Sequence, residues 1–160
     1  MANVKLYGFD KLEKTIDKIS IEFLKIQGES IYEGAKIVAD AVKEEIRALP
    51  VDERNRPKDG MLHGVKKLQK IGLEHGLGIA PQQNDRGFEN VKIGFDGYNM
   101  LKTKSNPKGQ PNVKIARAVE SGTSFSEKIP FVRNALKKSR NQAKKQMNKT
   151  FEIALEKLLK

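Results

Sequence analysis

The stretch DKLEKTIDKISIEFLKIQ, residues 10–27, decides the fold. Its apolar residues Leu12, Ile16, Ile19, Phe23 and Ile26 recur at intervals of 4, 3, 4 and 3, so all five share one stripe of an α-helix. Asp10 stands ahead of the run as a hydrogen-bond acceptor for a free N–H of the first turn, with Phe9 before it as a hydrophobic staple. The pattern continues through Ile31, Ala35, Val38, Val42 and Ile46 as far as Pro50, with Gly28 and Gly34 weakening the join. Unbroken, a helix over 11–48 spans about 57 Å at 1.5 Å per residue, more than a compact domain of this size needs. It must therefore bend near Gly28 or project. The stripe reads first as intrachain core, and a seam this regular can also pack against a neighbouring subunit.

Outward from this helix the chain alternates structured and polar segments. Residues 50–60, PVDERNRPKDG, carry two prolines, a glycine and six charges, the pattern of a mobile loop rather than a core element. Met61, Leu62, Val65, Leu68 and Ile71 predict a short helix. LGIA at 77–80 and VKIGF at 91–95 read as two short strands flanking the polar loop PQQNDRGFEN. Residues 96–112 are rich in turn formers and hold Lys102, Lys104 and Lys108, which predicts a second flexible loop. Pro130 suits the first position of a last helix, along which Val132, Leu136, Ala143, Met147, Thr150, Ala154 and Leu158 fall within one arc. The expected architecture is a single α+β domain over 1–160, a small antiparallel sheet packed with long N-terminal and C-terminal helices.

Composition narrows the chemistry. A chain of 160 residues has room for one ordinary domain, and its 31 Lys and Arg against 20 Asp and Glu give a net charge of +11. Anionic partners are favoured, whether phosphate backbone, anionic membrane or acidic protein. The absence of cysteine removes disulfides and thiolate chemistry from consideration. No run of about 18 apolar residues occurs, and Met1 to Tyr7 lead into no signal-peptide core, so a soluble protein made in the cytoplasm is expected, without membrane contact. His63 and His75 lack metal-ligand spacing, the glycines of LEHGLG lack phosphate-loop order, and no serine sits in a nucleophile elbow. The pairs Glu44-Glu45 and Asp52-Glu53 read as helix-end or loop charges. No catalytic, cofactor or metal site is expected, and the protein is read as not an enzyme.

The charge is directional. Residues 1–49 hold 8 basic and 9 acidic groups, whereas the last 32 residues hold 9 and 2. On the last helix Arg133, Lys137, Arg140 and Lys144 form one cationic stripe, and Lys138, Lys145 and Lys149 form another. These seven are candidate contacts for an acidic partner or DNA. Few aromatics accompany them and no helix-turn-helix or zinc-finger spacing occurs, so the chain's alternative reading is a small basic protein that binds nucleic acid non-specifically.

The stretch IARAVESGTS at 115–124, followed by IPFVRNAL at 129–136, resembles a signature of the tail-completion or head-tail joining proteins of siphovirus-type bacteriophages, a family that includes proteins like lambda minor tail protein Z. In that family Val-Glu-aromatic-Gly-Thr precedes Pro-Phe-hydrophobic-Arg-Pro-Ala and a last helix. Val119, Glu120, Gly122, Thr123, Pro130, Phe131, Arg133, Ala135 and Leu136 match, while Ser121 and Asn134 depart from the pattern. The resemblance implies a structural virion protein that completes the tail and connects it to the DNA-filled head. It also implies a homo-oligomeric ring among other neck and tail subunits, made in the host cytoplasm, with contact to genome DNA open.

Overall fold

The computed structural model describes residues 9–54 and 60–159, with side chains from Ile16 onward. The architecture is α+β: two long helices pack together, flanked by short helices and small antiparallel two-stranded sheets. The chain runs α1 (Phe9–Ala48), α2 (Lys67–Gly76), β1 (Leu77–Ile79), β2 (Gln83–Asp85), β3 (Phe88–Asn90), β4 (Ile93–Phe95), α3 (Asn112–Ser121) and α4 (Phe131–Leu158).

Helix α1 is continuous through both of its internal glycines. Each glycine lets a side chain approach closely: a Cβ on Gly28 would clash with the Gln82 amide, and one on Gly34 with Met147 Cγ. The helix also already includes Asp10, which therefore stands within the first turns rather than ahead of them. The staple expected of Phe9, the side chain of Leu12 and the segment Met1–Tyr7 lie outside the described residues.

The core gathers at one end of the α1/α4 pair. Val42, Ile46 and Leu49 meet Val65, Leu73, Ala116, Val119, Phe131 and Ala135, all buried, and Phe95 packs edge-on against Phe131 at 6.0 Å. Farther along, α1 and α4 stay together as far as Phe23 and Phe151, whose rings meet edge-on at 5.5 Å. The last turns of α4, with Ile153, Ala154, Lys157 and Leu158, line a groove with Glu22 and Ile26 of α1, and α1 extends past them. Forty residues make about 60 Å of helix against about 42 Å for the 28 of α4. The expectation of intrachain core along the first stripe is thereby corrected: Ile26 is buried, but Ile16 is 53% and Ile19 46% exposed, and Phe23 is also on the surface. The helix projects because its partner ends.

Several other expectations shift. Residues 61–66 are not helical, because their backbone is held in extended pairing. Val65 N–H donates to the Pro50 carbonyl at 3.0 Å, Asp52 N–H to the Val65 carbonyl at 3.0 Å, and Leu62 N–H to the Phe125 carbonyl at 2.8 Å. Helix α2 can start only at Lys67, and Leu68 and Ile71 face solvent while Leu73 is fully buried. The single sheet becomes two. Strands β1 and β4 pair with Leu77 opposite Phe95 and Ile79 opposite Ile93. The polar segment between them is itself a hairpin, β2 against β3, turned by Arg86 and Gly87 at φ 55° and 87°. At the base of residues 96–112, Asn99 N–H donates to the Gln110 carbonyl and Asn112 N–H to the Gly97 carbonyl.

Candidate docking surfaces

The residues of the family-like stretch form the corner that joins α3 to α4. Val119 is buried, and its carbonyl accepts the Ile129 N–H at 2.8 Å, closing the loop between the helices. Gly122 ends α3 at φ 75°, a conformation that L side chains rarely adopt, and its N–H donates to the Ala118 carbonyl. Thr123 N–H donates to the Ser126 carbonyl at 2.9 Å, and its hydroxyl oxygen accepts the Phe125 N–H at 3.2 Å. Pro130 occupies the N-cap of α4 rather than its first turn, so Phe131 begins the helix. Phe131 and Ala135 are buried against α1 and α3, whereas Arg133 is exposed. Leu136 is 48% exposed, a correction to the expected apolar arc, because the buried face of α4 runs through Phe131, Ala135, Ser139 and Ala143.

Glu120 supplies what Pro130 cannot. Proline has no side-chain acceptor to cap a helix, and the first N–H groups of α4 need one. The Glu120 carboxylate, twelve residues upstream of Val132, accepts the Val132 N–H at 2.8 Å and the Arg133 N–H at 3.3 Å. Its negative charge also sits where the helix dipole favours it. A second remote cap serves α2, whose Lys67 N–H donates to Glu53 at 2.6 Å.

Asp52 is likewise structural. It is buried, and it accepts hydrogen bonds from the Arg54 guanidinium at 2.7 and 2.9 Å and from the backbone N–H groups of Arg54 and His63 at 3.0 Å each. Arg54 first, and the His63 amide next, hold its carboxyl well below the usual carboxylate range, against the opposing effect of desolvation. The pair Asp52-Glu53 thus organises the α1/α2 junction rather than standing as loop charges. No sequence pattern marks that role, since each partner is remote or in irregular chain. Residues 55–59 of the expected mobile loop lie outside the described residues.

Histidine chemistry is local. His63 Nδ1 lies 2.8 Å from Glu127, both side chains being solvent-accessible, and His75 is exposed in the last turn of α2. Among the described residues no group of three or more His, Asp or Glu side chains converges to hold a metal ion. A groove of about 440 Å³ between the hairpin and the long helices is lined by Gln27, Ser30, Ile31, Phe88, Met147 and Phe151. Its titratable group, Glu89, has its pKa lowered by hydrogen bonds from Gln82 and Asn84, which suits an ionised anchor rather than a proton donor.

Two exposed surfaces on the long helices stand out among the described residues. One is the leading part of α1, where Ile16, Ile19, Ile21, Phe23 and Leu24 are exposed. The other is the outer face of α4. From Lys137 to Lys149 every exposed residue is Lys137, Lys138, Arg140, Asn141, Gln142, Lys144, Lys145, Asn148 or Lys149. Lys138 pairs with Glu45, and the other cations of this face carry no ion pair among the described residues. Residues 97–151 hold 13 Lys and Arg against two acids, Glu120 and Glu127, so the whole net charge of +11 resides there. Both acids are engaged, one on α4 and one beside His63. No helix is long and apolar enough to cross a membrane among the described residues. Comparison with protein-family models, curated proteins and solved structures finds no match to this chain.

Proposed function

We propose that this chain is a structural virion protein of the neck or tail of a siphovirus-type bacteriophage. It completes the tail and connects it to the DNA-filled head, assembling as a homo-oligomeric ring with other neck and tail subunits. The resemblance of residues 115–136 to the tail-completion and head-tail joining family supports the phage setting. Within that stretch the matching buried residues and Glu120 serve the α3/α4 corner, which suits a scaffold rather than a catalyst.

The observation that carries the assembly role is the leading part of α1. Ile16, Ile19 and Phe23 continue the seam that α4 covers farther along, while Ile21 and Leu24 project from another side of the helix. Exposed apolar residues on two sides of one helix segment suit contact with neighbouring chains. Here those chains are other subunits. The role is docking, performed without a cofactor.

Electron microscopy of particles made by a phage with this gene disrupted tests the reading. Separate heads and headless tails are expected, restored to joined particles by the wild-type chain and not by Ile16→Lys with Ile19→Lys. Normally joined virions in the disrupted phage would overturn the joining role.

A further inference from the structure

We propose that the outer face of α4, from Arg133 to Lys149, seats the phosphate backbone of duplex DNA without reading its bases. This inference stands on the chemistry of the face itself and not on the place of the chain in a virion.

Six cations, Arg133, Lys137, Arg140, Lys144, Lys145 and Lys149, project to solvent along about 24 Å of helix and have no acidic partner among the described residues. Between Lys137 and Lys149 the remaining exposed positions of α4 are Lys138, Asn141, Gln142 and Asn148, so this stretch of helix presents hydrogen-bond donors and no carboxylate or apolar side chain of its own, bordered by Leu136 just before it and by Asp40 and Glu44 of α1 beside Lys138 and Gln142. That composition discriminates among anionic partners. The core of a protein interface is enriched in aromatic and apolar groups and depleted in Lys. A membrane-surface helix needs an apolar face to enter the lipid boundary, and the apolar face of α4 is already buried on α1. Phosphate backbones are held by Lys and Arg together with amide side chains, as offered here.

The charges also run against the interest of the isolated helix. Arg133 and Lys137 lie in the first two turns, where the macrodipole disfavours cations by a few tenths of a kcal/mol. The N-terminal amides of α4 are occupied by Glu120, so an anion must lie alongside the helix rather than at its tip. The outward residues at Lys137, Arg140 and Lys144 repeat every three or four positions, about 5 to 6 Å, which follows a row of phosphates and not a single one. Aromatic side chains to stack on bases are absent from the face, so duplex rather than single-stranded DNA fits it, with sequence left unread.

The test is a salt titration of binding by the full-length chain to a short random-sequence DNA duplex. With about six phosphates engaged, the slope of log affinity against log salt is near −5, a loss of roughly a thousand-fold between roughly 50 and 200 mM salt. The triple variant Lys137→Glu, Arg140→Glu, Lys144→Glu should abolish measurable binding. The neutral triple Lys137→Gln, Arg140→Gln, Lys144→Gln, which keeps good helix formers, should reduce the slope to about −3. Reversing Lys102, Lys104 and Lys108 instead changes the net charge equally and should leave most of the affinity in place. Equal losses from the two reversal triples would overturn the proposal, since net charge and not this face would then govern binding. Wild-type affinity for polyglutamate or for anionic-lipid vesicles equal to that for DNA would overturn it as well, as would no binding to DNA at low salt. These measurements use purified protein, so their failure leaves the joining role in the phage to be judged by its own experiment.

Discussion

The two ends of the α1/α4 pair obey the same hydrophobic pattern and meet opposite fates. At one end Ile46 and Leu49 are sealed against Phe131, Ala135 and Leu73. At the other, Ile16 and Ile19 lie open, although their spacing is as regular as that of any residue in the core. A periodic apolar stripe specifies a helix and one sticky face, and the length of the partner decides how much of that face the chain itself covers. Where α4 stops, the stripe is left exposed.

Truncation breaks the symmetry most visibly. Phe131→Ala should cost about 3–5 kcal/mol, because the ring is fully buried and its removal leaves a cavity, whereas Phe23→Ala should cost roughly 1 kcal/mol for a partly exposed edge-on pair. Urea unfolding of the two variants measures the difference, and similar costs would mean that the open end is as tightly packed as the core. A smaller effect is expected at the sealed end from Glu120→Ala, about 1 kcal/mol from loss of the α4 cap. Circular dichroism should place that loss in helix content as well as in the unfolding midpoint.

A further effect is set by acid. In the unfolded chain the Asp52 carboxyl takes up its proton near pH 3.9, and in the folded chain only at lower pH, because Arg54 and the His63 amide bind the ionised form. Its stabilisation is therefore complete above about pH 5 and drains away as the pH falls below that. Thermal midpoints of the wild type should drop over this acid range more steeply than those of Asp52→Asn. Parallel curves would remove Asp52 as the acid-sensitive group of the α1/α2 junction.

Much of this architecture is legible in periodicity. Long helices, the strands within 77–80 and 91–95, observed at Leu77–Ile79 and Ile93–Phe95, and the separation of charge into the last segment all follow from spacing or counting. What periodicity cannot register is contact between remote irregular segments. Residues 61–66 have a helical pattern, yet pairing with Pro50 and Phe125 captures their backbone first. Leu136 fits the apolar arc drawn from large side chains, but small residues, Ala135, Ser139 and Ala143, let α1 approach and rotate that arc away. The cationic face was readable from composition because exposed charge needs no partner to be seen. Glu120 was visible only as a motif letter, since its partners lie in the next helix.

That remote cap has a consequence for how the molecule opens. The first amides of α4 are satisfied by a side chain on α3, and the Val119 carbonyl holds Ile129 just before them. Fraying of the α4 start therefore also breaks bonds to α3, at a cost of about 1 kcal/mol for the cap. That added cost favours opening of the two helices together in hydrogen exchange. The beginning of α1, where Ile16 and Ile19 are exposed, lies outside that unit, so its amides are expected to open independently of the α3/α4 corner.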